Sequence, residues 1–399
     1  MTSPFEEATP ILDRLIQNGE SAYIVGGAVR DSLLKRPIHD IDIATSALPE
    51  KVLSLFENTV PVGLKHGTVL VIWGGKPYEV TTYRSEAGYS DYRHPDQVTF
   101  EKDIMVDLSR RDFTMNAMAI DRSGKLIDPF NGCKDLLNRQ LVTVGEPSKR
   151  FEEDPLRMLR ACRFVSQLDM TPSNKLVDAM IKKASLIQNI SIERVREELS
   201  KCLEGLVPHK GFELVEKTHL SQYIPGLEQL SGALDRIKKV NFHGLQSAAE
   251  RWTLLFYALD REVTADLLLA FKFSRRLTQS ILDLSRFFKI YEKTRLTLFT
   301  LYHYEEELLY AADRLGQAIG NETRKGQIEA LKEQLPIQSR DDLLITGRDL
   351  LEWTGLKGGP WVGELLSEIE DEIIKGSLVH SYDAIREWVF EWMKRNKTY

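Results

Sequence analysis

The sequence predicts an α+β protein, a mixed α/β region at the N-terminus followed by a long all-helical remainder. Up to about Pro147, short apolar runs rich in β-formers alternate with helically spaced segments and are separated by Gly, Pro and Asp. From Pro147 onward, Leu, Ile, Ala and charged residues recur at helical spacing and the strand signals fade. At 399 residues with 42% apolar and 28% charged side chains, the chain is long enough for two or three domains with a sizeable core. That balance excludes disordered, collagenous and membrane-embedded classes, and no fixed-period repeat or low-complexity tract interrupts it.

The elements follow in order. Phe5–Gln17 has helical spacing and stops at Gly19, Ala22–Val25 is a short buried strand ending at Gly26-Gly27, and Val29–Leu34 resumes a helix. Asp40–Ala44 alternates acid with Ile as a half-buried strand does, and Pro49 opens a helix through Phe56. Thr68–Trp73 and Tyr78–Tyr83, split by Gly74-Gly75-Lys76-Pro77, form a hairpin. Arg84–Asp103 is poor in periodic apolar residues and is expected to be a long mobile loop. In the helical remainder, soft boundaries fall near Pro208-His209, Pro225–Gly232 and Gln334–Ser339.

Net charge is -6, which argues against a nucleic-acid partner only if charge is spread evenly. Cys133, Cys162 and Cys202 lie far apart without a CxxC, so neither a disulfide framework nor a zinc site is supported. No apolar run approaches the ~20 residues that span a bilayer. Glu6 and Glu7 stand where a signal peptide needs basic and then apolar residues. A cytoplasmic location without membrane association is the expectation.

Four segments carry candidate chemistry. Gly26-Gly27-Ala28-Val29-Arg30-Asp31 follows a strand and opens a helix, where backbone N–H groups can meet a phosphate; a plain tight turn has the same look. Asp40-Ile41-Asp42 would put two carboxylates on one face of a strand, a costly pairing unless a hard cation lies between them; a solvated edge strand is the plainer account. His39-Asp40 imitates a metal-phosphohydrolase pair but has no matching His/Asp set elsewhere. Arg110-Arg111-Asp112-Phe113-Thr114-Met115-Asn116 adds a basic pair and an amide beside a helix start. In Glu153-Asp154-Pro155-Leu156-Arg157-Met158-Leu159-Arg160-Ala161-Cys162-Arg163-Phe164, Asp154, Arg157, Arg160 and Arg163 would form a stripe on one helix, with Leu156, Leu159 and Phe164 available for the core. A salt-bridged helix face would explain Asp154 with Arg157 but leaves Arg160 and Arg163 without nearby acidic partners in sequence.

In this order, and within about 140 residues, GGxVRD, DxD, RRDFTxNA and EDxxRxLRxxRF closely resemble the class II tRNA nucleotidyltransferases, the CCA-adding enzymes. The likeness extends to Ser191–Leu199 and to Gly347-Arg348-Asp349-Leu350 through Gly363. The resemblance implies a nucleotidyltransferase head with a small mixed sheet at 1–147, a helical neck at 148–207 with a nucleotide-selecting motif, a helical body at 208–335, and a tRNA-binding tail at 336–399. It implies Asp40 and Asp42 as catalytic metal ligands for Mg²⁺, with Glu79 as a third carboxylate. Gly27 and Arg30 would meet the nucleotide phosphates, Arg111 would bind nucleotide with Asp112 near the ribose, and Asp154, Arg157, Arg160 and Arg163 would complete the ATP/CTP site. The implied reaction is attack of a tRNA 3′-hydroxyl on the α-phosphate of CTP or ATP, releasing pyrophosphate. A homodimer is left open.

Cytosine and adenine both present an amino donor beside a ring-nitrogen acceptor, so Asp154 as acceptor and Arg157 as donor would take both and reject uracil and guanine. Arg160 is expected to hold that pair, and Arg163 to bind phosphate or brace the site. Bacterial poly(A) polymerases share DxD and the Arg motifs but carry a basic-aromatic segment where Val62-Gly63-Leu64-Lys65-His66-Gly67-Thr68 has no arginine. A CC-only relative would lack a loop such as Arg84–Arg93, whereas an A-only relative stays open. A non-catalytic RNA-binding protein would not need the DxD pair. The tail counts seven Lys/Arg against twelve Asp/Glu over 341–399, so it is expected to hold RNA by shape rather than as a basic arm.

Overall fold

The structure is a computed structural model that describes residues 5–92 and 95–395. The chain divides into two compact units, one of residues up to Lys238 with Tyr257–Phe273, the other of Lys239–Phe256 with Ser274 onward.

Strands of the first unit include β1 (Ala22–Val25), β2 (Asp42–Thr45), β3 (Thr59–Gly63), β4 (Thr68–Trp73), β5 (Lys76–Thr82), β6 (Arg84–Ala87), β7 (Gln97–Phe100), β8 (Ala119–Ile120) and β9 (Leu126–Ile127). Its helices include α1 (Thr9–Gln17), α2 (Gly27–Leu33), α3 (Pro49–Leu55), α4 (Ile104–Ser109), α5 (Gly132–Leu137), α6 (Pro147–Glu153), α7 (Leu156–Leu168), α8 (Asn174–Lys183), α9 (Ile192–Leu203) and α10 (Pro208–Lys217). Among the described residues, seven strands form one mixed sheet in the order β3-β4-β5-β2-β1-β8-β9. In this sheet only β2 and β5 run parallel. Ile11, Leu12 and Leu15, the apolar stripe of α1, are buried, as are Ile24 and Val25 of β1 and Ile43 and Ala44 of β2. The β4–β5 hairpin closes on Gly74 and Gly75 at φ 57° and 78°, the two positive values that a two-residue hairpin turn demands. A cluster of Val25, Ala44, Tyr83, Ile104, Leu108 and Ala117 fixes α4 against the sheet.

Two expectations about this unit are corrected. The acidic strand starts at Asp42, and Asp40 lies in the coil ahead of it. Asp42 stands opposite Val25, the last residue of β1, and on the other side opposite Glu79; extending that register would bring Asp40 to Pro77, which has no N–H to give. Nor is Arg84–Asp103 a loop throughout: β6 and β7 pair antiparallel, Arg84 with Phe100 through Ala87 with Gln97. Their sequences lack alternation because polar contacts organise the ribbon. Glu86 accepts hydrogen bonds from Arg84 Nε at 2.7 Å, Arg110 Nη1 at 3.0 Å and Tyr89 Oη at 2.6 Å. Arg93 and His94, part of that expected loop, lie outside the described residues.

α7, α9 and α10 cross closely because glycines stand at the contacts. A Cβ on Gly205 would lie 2.0 Å from Ser166 Oγ, and one on Gly211 would lie 2.4 Å from Cys202 Sγ and 2.9 Å from the Cys162 carbonyl oxygen. In the second unit, Ile345, Leu350, Leu365, Ile369, Ile385 and Val389 form the core, with Leu298 and Tyr302 packed on it. Helix Pro360–Ile374 begins after Gly359, as the Gly-Gly-Pro run suggests. Among the described residues, no helix is long and apolar enough to cross a membrane.

Candidate active site

Where β1 turns into α2, Gly26 adopts φ 72°, and a Cβ there would come within 3.1 Å of Arg111 Nη1 and 3.5 Å of Asp42 Oδ2. The paired glycines thus let the backbone pass beside a cation and a carboxylate, a constraint carried by Gly26 more than by Gly27. Register sets Asp42 beside Glu79 on the parallel pair β2–β5. Burial first, then Glu79 and Asp40, push the Asp42 carboxyl above the ordinary carboxylate range, against the opposing pull of Arg111.

These groups border a cavity of about 510 Å³ lined by seven arginines and three aspartates, among them Arg30, Arg111, Arg157, Arg160, Arg163 and Arg194. Local charge is therefore positive although the whole chain is negative. A second cavity of about 490 Å³ shares Arg110, Asp154, Arg157 and Arg194 with it and reaches Glu79, Gly63 and Thr68. A larger opening of about 860 Å³ in the second unit mixes Arg276 and Arg286 with Glu250, Asp283, Glu305 and Glu307, and offers no comparable excess of one sign.

Most of these arginines are aimed by specific partners. Arg30 donates to Asp31 at 3.0 and 2.8 Å and to Asn116 Oδ1 at 2.9 Å. Arg111 donates to Asp107 Oδ2 at 3.1 Å and to the Asn116 carbonyl at 3.3 Å, while its buried Nε has no partner. Arg157 pairs with Glu153, which also takes Arg150, and reaches the Arg110 carbonyl at 3.3 Å. Asp112 is buried and fully engaged: Oδ2 takes Arg160 Nε at 2.8 Å and Nη2 at 2.5 Å, and Oδ1 takes the Phe113 N–H at 2.7 Å and Asn116 Nδ2 at 3.0 Å. Burial alone would raise the Asp112 carboxyl, but Arg160, Asn116 and the Phe113 N–H hold it far below the usual range.

The family description Poly A polymerase head domain matches residues 22–142, and tRNA nucleotidyltransferase domain 2 matches residues 243–389. An RNA and SrmB-binding site of polymerase A matches residues 169–230. The CCA-adding enzyme of Geobacillus sp. (strain WCH70) is 42% identical over 393 residues, covering 98% of this chain and 97% of that protein. The chain belongs to the CCA-adding enzymes. The CCA-adding enzyme of Bacillus cereus (strain AH820) is 38% identical over 97% of this chain and 98% of its own. The crystal structure of the Bacillus stearothermophilus CCA-adding enzyme in complex with CTP matches with a TM-score of 0.92 at 37% identity, over 100% of this chain and 99% of that one.

In this CCA-adding enzyme, Gly27, Arg30, Asp42, Arg111, Asp154, Arg157, Arg160 and Arg163 line one cavity, and Asp40, exposed and ahead of the strand, lies outside that lining but near enough for its charge to act on Asp42. The helical stripe needs correction. Asp154 sits in extended backbone between α6 and α7, at φ -143° and ψ 99°, because Pro155 disfavours helix in the residue before it. It therefore pairs not with Arg157 but with Arg194 Nη2 at 2.9 Å, while its Oδ1 accepts the Leu156 N–H at 3.1 Å. Arg160, expected to hold the Asp154–Arg157 pair, braces Asp112 instead. The acidic partners that Arg160 and Arg163 lack nearby in sequence are supplied from afar, by Asp112 and Glu198. Arg194 and Asn116 join the cavity lining, and Asp107 and Glu153 bind the Arg111 and Arg157 that line it; only the fold brings these four together with the cavity residues.

Proposed function

We propose that this chain adds and repairs the 3′-terminal CCA of tRNA without a nucleic-acid template, using CTP and ATP and releasing pyrophosphate in the cytoplasm. The observation that carries the reading is the arginine-lined cavity beside the Asp42–Glu79 edge, which offers a triphosphate its countercharge next to carboxylates suited to a hard cation. Arg30, Arg111, Arg160 and Arg163, with the Gly26-Gly27 turn, bind the phosphates.

The residues fit Mg²⁺. Among the described residues no group of three or more His, Cys, Asp or Glu forms a full cage, but Mg²⁺ commonly takes one or two carboxylates and completes its shell with water and substrate phosphate. Asp42, raised by Glu79 and Asp40, is the group that such a cation would relieve. Asp40 and Asp42 would hold it, with Glu79 alongside; when bound, it supplies Lewis-acid activation of the attacking hydroxyl and of the leaving oxygen. The protein positions the rest. The adjoining cavity, which shares Arg110, Asp154, Arg157 and Arg194 and reaches Glu79, receives the tRNA 3′ end, so that hydroxyl and α-phosphate meet at the Asp42–Glu79 edge.

Base choice falls to Asp154 and Arg157. Each Asp154 oxygen accepts one protein hydrogen bond and keeps a lone pair for an amino group. Arg157 retains donors beyond those given to Glu153, the Arg150 carbonyl and the Arg110 carbonyl. Arg194 and Glu153 hold the two in place. The head, neck, body and tail assignment at 1–147, 148–207, 208–335 and 336–399 goes with this reading, the tail contacting RNA by shape.

The test incubates the protein with tRNA ending at the discriminator base, Mg²⁺ and CTP, ATP, UTP or GTP singly and together, and then sequences the 3′ ends. CC from CTP alone and CCA from CTP with ATP is the expected result. Addition of A alone to tRNA ending in CC indicates an A-adding relative, and long adenosine runs indicate a poly(A) polymerase. The Asp154→Ala, Arg157→Ala double variant is expected to admit UTP and GTP.

A further inference from the structure

Phe164 is 3% exposed, sits on α7 and packs edge-on against buried Phe113, with ring centroids 5.6 Å apart at 84°. On these facts alone it is a core residue. Its surroundings are not those of a core residue: the guanidinium carbons of Arg163, Arg30 and Arg160 lie 4.4, 5.3 and 5.7 Å from its ring centroid, and the ring lines the same cavity as all three. Three like charges gathered around one side chain repel one another, so something must hold them together before any anionic ligand arrives.

Carboxylates do part of this, Asp31 for Arg30, Asp112 for Arg160 and Glu198 for Arg163. Each carboxylate also cancels the charge that it anchors. An aromatic ring does not: its negative face attracts a guanidinium while leaving the full positive charge to act on a ligand. Arg163 shows the need most clearly. Its Nε stands 3.1 Å from Glu198 Oε2, yet neither atom makes a hydrogen bond, so alignment of this arginine is not set by that pair. The ring is its closest aromatic support, and burial with the neighbouring Arg160 and Arg30 works against its charge, bringing it down to about 10 although Glu198 opposes this.

We infer that Phe164 is a positioning residue for triphosphate binding, its ring face holding Arg30, Arg160 and Arg163 in a shared orientation without neutralising them. This rests on the reading of the cavity as the nucleotide site. Because the ring acts on groups that meet the phosphates, it serves CTP and ATP equally and has no part in base choice.

The experiment replaces Phe164 with 4-fluoro-, 3,5-difluoro- and 3,4,5-trifluorophenylalanine, which keep nearly the same shape while progressively weakening the negative ring face. A Phe164→Leu variant is measured alongside. For each protein, KM and kcat for CTP and ATP, KM for tRNA, and Tm are determined. The expected result is a graded rise in KM for both nucleotides, about tenfold at the trifluoro ring, with kcat within about twofold and tRNA KM and Tm unchanged. Flat nucleotide KM values across the fluorinated series overturn the inference, and if Phe164→Leu then loses only Tm, the ring is core packing and nothing more. Absence of nucleotide turnover in the unsubstituted protein refutes the site reading itself, and the inference with it; the two failures are therefore separable.

Discussion

On the sheet side of the cavity, burial and then the neighbouring Glu79 and Asp40 carboxylates raise the Asp42 carboxyl, with Arg111 as the opposing cation. On the helical side the carboxylates stand beside cations: Asp112 binds Arg160, Asp154 binds Arg194, Glu153 binds Arg150 and Arg157, and Glu198 lies next to Arg163 without a hydrogen bond to its Nε. Asp42 and Asp112 are thus held in opposite electrostatic states across one opening, the first raised and the second depressed. The helical wall is largely closed by its own ion pairs, whereas Asp42 at the start of the interior strand β2, beside Glu79, carries negative charge that folding alone does not reward, and that imbalance points to where a cation and the reacting atoms belong.

Asp42→Asn breaks the comparison most severely. Turnover should fall by roughly a thousandfold or more, while the metal-free protein at pH 7.5 gains thermal stability, because a carboxyl raised in the folded state is ionised there at a cost that the amide removes. Loss of both activity and Tm would contradict the contrast drawn above; calorimetry with and without a chelator measures it.

Asp112→Asn acts on the opposite wall and should destabilise by about 3 kcal/mol at neutral pH, the low end for breaking a buried pair since Arg160 is partly exposed. The sign with pH is set by the depressed carboxyl: the stabilisation is present above the ordinary aspartate value and is lost as pH falls through the much lower folded value. Denaturant titrations of the two proteins should therefore converge in strong acid, and a gap that persists there would assign the effect to packing.

Gly26→Ala sits between the two walls. With φ at 72° and Arg111 Nη1 at 3.1 Å from the new methyl group, it should raise nucleotide KM about tenfold and cost about 1–2 kcal/mol of stability, whereas Gly27→Ala, with only ordinary contact to Arg30 Nη2 at 3.6 Å, should be milder. Steady-state kinetics on the pair would rank them, and equal effects would count against the close-approach argument. Smallest is the tail. Cutting after Ser339 would strip the core packed on Leu298 and Tyr302, so Arg348→Ala and Lys357→Ala are the cleaner probes; they should raise KM for tRNA a few-fold, by about 1 kcal/mol per lost phosphate contact, and leave KM for CTP unchanged.

Much of this was legible from residue order. The strand Ala22–Val25, the Gly-Gly hairpin and the helical remainder follow from local periodicity and turn chemistry, and four ordered motifs brought the cavity residues together on paper. What escaped was set by tertiary partners. The β6–β7 ribbon is organised by Glu86 with Arg110, which lies 24 positions on in sequence. Asp154 left the helix because of one proline, yet its partner Arg194 is 40 positions away and belongs to another helix. Phe164 reads as core in any periodic scheme, and nothing local reveals three arginines around its ring.

The glycines at the crossing of α7 with α9 and α10 bear on how one site could serve bases of two sizes. With Ser166, Cys162 and Cys202 pressed against Gly205 and Gly211, there is no slack for α7 to slide, so the arginines it carries form a fixed gauge. A gauge of that kind is the same for every incoming base, so on the reading proposed above a purine and a pyrimidine meet one unchanging set of guanidinium donors. The helix bundle behind the cavity is a ruler rather than a hinge.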